Sequence, residues 1–239
     1  DEFDILAANL NQMVGKLSEM EETLYKTKLR EQETELKYIS QQIRPHFRLN
    51  ALNVIYTYRE DEFPMVKKMV LYLTNYFRYI VNLKVDFVEI EKELRHVENY
   101  LQIQKERYLD KFDFFVEWES QASGCLVPPL IIQTFVENSV KYASAPGRLY
   151  VYALASIAEG RLKLMIADTG QGFMENKIRE IKNFLDTRQE QEGHGMGIMN
   201  AIERMDILYG ERVEVKVRNA LSGGAVIEIY LPVRRNSDV

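Results

Sequence analysis

Residues 42–53 read Gln42-Ile43-Arg44-Pro45-His46-Phe47-Arg48-Leu49-Asn50-Ala51-Leu52-Asn53. Pro45 interrupts a long run of good helix formers, and a proline there removes a helix hydrogen bond and clashes with the preceding turn. His46, one of three histidines in the chain, therefore stands at a defect. Asn50 lies one turn further along the same face, where its amide reaches whatever becomes attached to the imidazole. From this stretch alone two readings stand open: a reactive site, or a kinked helix with a solvent-facing histidine.

The phase of the surrounding apolar residues bears on that choice. Leu10, Met13, Leu17, Met20 and Leu24 step by three and four, the seam of a coiled coil, which predicts a parallel dimer. A second series, Leu29, Gln32, Leu36, Ile39 and Ile43, is out of phase with it, so the seam slips between Tyr25 and Lys28. Beyond Ile43, strict three-four steps would bury His46 and Asn50, whereas a step of four to Phe47, then Ala51, Val54 and Tyr58, keeps the seam apolar. The second phase turns His46 and Asn50 outward.

The acidic segment Glu60 to Pro64 ends this helix, and Pro64 suits the start of the next. Met65, Met69, Leu73, Tyr76, Phe77 and Ile80 give residues 65–84 a broad apolar face, able to pack antiparallel on the first helix; two such hairpins would close a four-helix bundle. Residues 89–109 predict a further amphipathic helix, on which His96, among charged neighbours, reads as solvated surface.

With 239 residues, 46% of them hydrophobic, the chain is long enough for more than one core. Its net charge of −5 argues against a general nucleic-acid binder, which would carry a basic face. The single Cys125 excludes an internal disulfide and reads as a packed thiol. No apolar run approaches the roughly 20 residues needed to cross a bilayer, and the acidic start is no signal peptide.

Near residue 110 the texture changes to alternating strands and glycine-containing loops, an expected domain boundary. Strands are predicted over Phe112 to Trp118, Leu149 to Ile157, Leu162 to Ala167, around Val213, Val215 and Val217, and over Ala225 to Leu231 after the turn Ser222-Gly223-Gly224. The Val127-Pro128-Pro129 step opens a helix reaching Tyr142. Helices mixed with an antiparallel-type sheet indicate an α+β sandwich.

Three short motifs in this half bear on chemistry. On the helix, FVENSVKY carries Asn138, whose side-chain oxygen suits a hard cation such as Mg²⁺, or is a buried capped amide. At the end of a strand stands Asp168-Thr169-Gly170-Gln171-Gly172: the carboxylate can accept a hydrogen bond from a base amine, while the glycines permit close approach; alone this is a common turn. Gly193-His194-Gly195-Met196-Gly197-Ile198-Met199-Asn200 opens a helix and can direct N–H groups at phosphates.

Taken in this order, the three motifs resemble the N, G1 and G2 boxes of the GHKL ATPase superfamily. With QIRPHFRLNALN, the segment from residue 36 to about 233 resembles the sensor histidine kinases of the LytS/YesM-like class, and DEFDILAANLNQMVGKL resembles the second helix of a HAMP linker. The resemblance implies an ATP-dependent protein-histidine kinase: His46 the phosphorylated residue with Asn50 beside it, Asn138 the Mg²⁺ ligand, Asp168 the adenine reader. Gly170, Gly172, Gly195 and Gly197 would shape the ATP pocket, Lys141 would contact phosphate, and Phe173 to Glu192 would be a lid over it. Glu137 matches the general base of hydrolytic GHKL ATPases, or positions a ligand water. The family has a large apolar residue where this chain has Arg48, and many other histidine kinases have an acidic residue where it has Phe47.

The implied layout is a partial HAMP helix over residues 1–17, a signalling coiled coil over 18–35, a dimerisation and histidine phosphotransfer domain over 36–109, and an ATP-binding domain over 110–239. The implied partners are a second copy of the chain and the receiver domain of a response regulator, with no direct nucleic acid. Membrane attachment would come only through upstream transmembrane segments, leaving this part cytoplasmic. Two other classes use the same residues: a GHKL-type ATPase or serine kinase, and a catalytically silent dimeric scaffold.

Overall fold

The computed structural model describes Lys16 and residues 45–59, 63–83, 85–142, 147–188 and 196–236. The expected coiled coil, the HAMP-like helix and Gly195 lie outside these residues. The chain divides into two units, Asp1–Asn50 and Ala51–Val239. Of the first, the described part is Lys16 and the opening of helix α1, Pro45–Thr57. Phe47 and Ala51 are buried while Val54 and Tyr58 are half-buried, in line with the apolar seam expected through these four positions; the orientation of the His46 side chain lies outside the described features.

In the second unit α2, Phe63–Val81, buries Met69, Leu73, Tyr76 and Ile80, one stripe at steps of four, three and four, and packs along α3, Ile90–Tyr108. Strand β1, Val88–Glu89, leads into α3 and pairs antiparallel with β3, Leu126–Val127. α3 in turn lies against β2, Phe112–Trp118, and against α4, Ile131–Tyr142.

The main sheet has the order β2-β4-β5-β7-β6, with β4 Leu149–Ala158, β5 Arg161–Asp168, β6 Glu214–Asn219 and β7 Ala225–Pro232. The β2–β4 pair is parallel and the others antiparallel. Ala158 faces Arg161 across a two-residue turn, where Glu159 and Gly160 have φ of 53° and 72°; positive φ at both positions is the type I′ geometry that suits twisted strands. Strict alternation places Val151, Ala153, Leu164, Ile166, Val215, Val217, Ile227 and Ile229 on one face, all buried, and the helices cover that face. The outer face carries half-exposed residues such as Tyr152, Met165, Glu228 and Tyr230. The predicted strands are thus present, in a mixed sheet of α+β architecture.

The segment expected to be a lid contains regular structure. Much of Phe173 to Glu192 forms a regular helix, α5, Glu175–Thr187, with Ile181 and Phe184 buried toward β6. It ends with Arg188 in the left-handed region, φ 55°. The Arg188 guanidinium donates to Asp206 of the last helix, α6, Met196–Tyr209, at 2.7 Å. The polar composition is that of an amphipathic helix with one solvent face.

After β7 the chain turns back along residues 121–126. The Leu126 N–H donates to the Arg234 carbonyl at 2.7 Å, and Arg235 Nη2 donates to the Gln121 carbonyl at 2.9 Å. Cys125, which pairs with Arg235 as an isolated bridge, is fully buried as a free thiol.

Candidate functional site

The site is assembled where β5 ends. Asp168 is 6% exposed, and its Oδ1 accepts the N–H groups of Gly170 at 2.9 Å and Ala225 at 3.2 Å. These bonds fix the carboxylate and leave Oδ2 without a hydrogen bond from the described residues, an acceptor aimed by its own strand end.

The glycines here answer a steric demand. At Gly172, φ 75°, a Cβ would stand 2.7 Å from Asn219 Oδ1 and 3.1 Å from the Gly224 carbonyl oxygen. At Gly224, φ 93°, it would fall 1.8 Å from the Asp168 carbonyl oxygen, so no side chain fits. Asn219 clasps the start of the lid with both ends of its amide: Oδ1 accepts from Phe173 N at 2.8 Å and Nδ2 donates to Phe173 O at 2.9 Å. Gly170 is buried one residue beyond Thr169. Sequence reading missed Asn219 and Gly224; the paired glycines at 223–224 were the available signal.

α4 brings the second group of residues. Asn138 donates from Nδ2 to the Thr134 carbonyl at 3.0 Å, which turns its Oδ1 away from the helix. A Cβ on Gly197, in the first turn of α6, would lie 4.0 Å from Asn138 Nδ2. The asparagine and the glycine-rich helix start, 59 positions apart by their numbers, are therefore neighbours. Glu137 accepts from Gln133 Nε2 at 2.6 Å, and Lys141 is exposed one turn further on. Among the described residues no cluster of three or more His, Cys, Asp or Glu side chains is arranged to hold a metal. The oxygens present fit Mg²⁺ that arrives with phosphates, for which one or two protein oxygens suffice.

His46 and Asn50 sit one turn apart on α1, and Asn50 is half-buried. The side chains of His46 and Arg48 lie outside the described features.

His96 is a correction. It is 2% exposed, stacked between Tyr76 and Tyr79 at centroid distances of 4.8 and 4.2 Å, with Nε2 against Gln133 Oε1. Burial pushes its pKa down to about 4, against the smaller opposing effect of Gln133. Its charged sequence neighbours Arg95 and Glu98 point elsewhere on α3.

On the same helix Glu93 is fully buried and accepts Tyr79 Oη at 2.6 Å, Leu130 N at 2.9 Å and Ile132 N at 3.1 Å. A side chain from α3 thereby satisfies the orphan N–H groups at the start of α4. Burial raises the Glu93 pKa, with these donors pulling the other way. Leu130, the residue it holds, has φ 64°, unusual for a branched side chain.

Comparison with known proteins agrees with this geometry. Residues 34–112 match the family model for histidine kinase, and residues 129–235 match that of the histidine kinase-, DNA gyrase B- and HSP90-like ATPases. The sensor histidine kinase YpdA of Escherichia coli is 28% identical, the alignment covering 96% of this chain and 41% of that protein. For the sensor histidine kinase YesM of Bacillus subtilis the figures are 29%, 98% and 39%, and for the sensor protein LytS of Bacillus cereus 26%, 95% and 38%. The chain thus spans about two fifths of the length of these relatives. The two matches succeed one another along most of the sequence, in the order of the phosphoacceptor stretch and the nucleotide motifs, and over that length the chain is similar to sensor histidine kinases of the LytS/YesM type.

Proposed function

We propose that this chain is the kinase portion of a two-component sensor: it phosphorylates itself on His46 from ATP and passes the phosphoryl group to an aspartate of a response regulator. The observation that carries the proposal is the Asp168 carboxylate, held by Gly170 and Ala225 beside the close-packed Gly172–Gly224 backbone, with the Asn138–Gly197 contact in support. The first suits a purine and the second suits phosphates.

In this reading Asp168 Oδ2 accepts a hydrogen from the adenine amine, and Gly170 and Gly172 let the ring approach the backbone. Asn138 Oδ1 would hold Mg²⁺, which would supply charge neutralisation on the phosphates. Gly197 leaves the α6 N-terminus open toward them, Gly195 is expected to shape the same pocket, and Lys141 adds a positive charge. Phosphoryl transfer needs little else beyond in-line positioning. A ring nitrogen of His46 forms the N–P bond as the bond from the terminal phosphorus to the bridging oxygen of ADP breaks. Phe47 stands next to His46 and has no group to take the ring proton, so the proton leaves to another base.

Burial of Phe47 and Ala51, a seam that leaves position 46 off its line, supports display of His46 on a helical stem. The heptad steps of residues 10–43 support a parallel homodimer through a coiled coil and a four-helix bundle, preceded by a HAMP-type linker. Among the described residues no helix is long and apolar enough to cross a membrane; the membrane attachment proposed here would lie upstream.

Incubation with Mg²⁺ and γ-labelled ATP tests the proposal. Label that is acid-labile, base-stable and absent from His46→Gln is expected. Acid-stable label on serine, or bound ATP without label, would replace this function with a serine kinase or a silent scaffold.

A further inference from the structure

Where α2, α3 and α4 meet, their polar side chains form one buried chain. At its centre Gln133, 4% exposed, donates from Nε2 to Tyr76 Oη at 2.8 Å and to Glu137 Oε1 at 2.6 Å, while its Oε1 faces His96 Nε2. The amide orientation follows from the partners. An ionised carboxylate only accepts, so the atom facing Glu137 is the amide nitrogen, and the oxygen on the other side must receive a hydrogen from His96 Nε2. His96 is then the neutral Nε2–H tautomer, in keeping with its burial between two tyrosine rings. Its Nδ1 has no partner among the described residues. Both amide hydrogens of Gln133 are committed, one to a residue of α2 and one to the residue preceding Asn138.

We propose that Gln133 is a positioning residue that holds the Glu137 carboxylate beside the nucleotide site, and that Tyr76 on α2 sets the direction of its amide, so that displacement of α2 is read as a change at Glu137. The inference rests on the phosphotransfer reading of that site. A hydrogen bond weakens steeply when stretched or bent. Withdrawal of Tyr76 therefore releases one of the two restraints on the amide nitrogen, and rotation of the amide would set its oxygen against Glu137. Two amide orientations separated by such a conflict make a discrete switch, with the signal entering along a helix and leaving one residue before Asn138.

Tyr76→Phe tests this in the full chain, because it deletes one oxygen and keeps the ring on His96. The expected result is unaltered thermal unfolding within a few degrees, ATP affinity within about twofold, and a labelling rate at saturating ATP lowered about fivefold, the equivalent of one neutral hydrogen bond. Gln133→Met should lose at least as much, and adding Tyr76→Phe to it should cost nothing further. A wild-type rate in Tyr76→Phe, a loss confined to ATP affinity, or losses that multiply would overturn the inference. A wild-type protein that forms no phosphohistidine refutes the kinase reading instead. The His96 ring then decides the inference by ¹⁵N NMR, its signals identified by their loss in His96→Gln: an Nε2–H tautomer disturbed by Gln133→Met upholds it, and an Nδ1–H tautomer or no response to Gln133→Met overturns it.

Discussion

The Glu93 carboxylate on α3 accepts the backbone N–H of Leu130, the left-handed residue that precedes α4, at 2.9 Å. The helix carrying Asn138 is thus capped by a side chain from another helix, and its placement depends on α3 as much as on its own sequence. Glu93 also takes the Tyr79 hydroxyl from α2, so all three helices converge on one carboxylate.

Glu93→Gln should lower global stability by about 2 kcal/mol, because a neutral amide is a weaker acceptor and brings a buried donor with no partner. Tyr79→Phe should cost about 1 kcal/mol, since it removes a single donor. Urea unfolding of both variants checks the ordering, and a Glu93→Gln midpoint equal to wild type would refute the capping role.

Asp168→Asn should fold normally and bind ATP about thirtyfold more weakly. The Asn oxygen can keep the N–H groups of Gly170 and Ala225, which places its amide nitrogen where Oδ2 stood and sets donor against donor at the adenine amine, at a cost of about 2 kcal/mol. Titration with a non-hydrolysable ATP analogue measures it, and unchanged affinity would remove adenine from this position.

Gly224→Ala should destabilise the protein by more than about 2 kcal/mol and abolish nucleotide binding, since its Cβ would overlap the Asp168 carbonyl. Gly210→Ala is the matched control. Its φ of 71° is also left-handed, but nothing lies within 4 Å of the added carbon, so about 1 kcal/mol is expected there. Equal losses at the two positions in thermal unfolding would show that conformation alone, without the close approach, accounts for Gly224.

Stability should fall on mild acidification, through His96. Its folded pKa of about 4 lies below the ordinary 6.5, so between these values the unfolded chain holds a proton that the folded one refuses. The contribution is complete above pH 6.5, is reduced by about 2 kcal/mol at pH 5, and is lost as the pH approaches 4. Glu93 acts in the opposite sense, its raised carboxyl favouring the folded state toward acid. Comparison of wild type with His96→Gln at pH 7 and pH 5 separates the two, and equal pH slopes would contradict the assignment.

The parts legible from sequence were those in which a single element states its own environment. The alternation of Val213, Val215 and Val217 with charged residues describes a strand with one wet face, and Phe112–Trp118 was delimited without reference to its neighbours. The order of the three nucleotide motifs was readable for the same reason. His96 was not, because its burial is set by Tyr76 and Tyr79 on another helix. Yet Ile90, Glu93, Val97, Tyr100 and Leu101 fall at helical spacing with it, so two polar residues in an apolar stripe were a usable sign of a buried network. The helix inside the lid could likewise be traced from Ile178, Ile181, Phe184 and Leu185, a stripe hidden by the charges between them.

The strap formed by Arg234 and Arg235 bears on how this domain can be handled. Its backbone and guanidinium groups are spent on the stretch that feeds α4, so a chain ended after Pro232 would strip partners from Leu126 and Gln121, far along the sequence from the cut. Fusions for assay or imaging belong beyond residue 236, where they leave that seam closed.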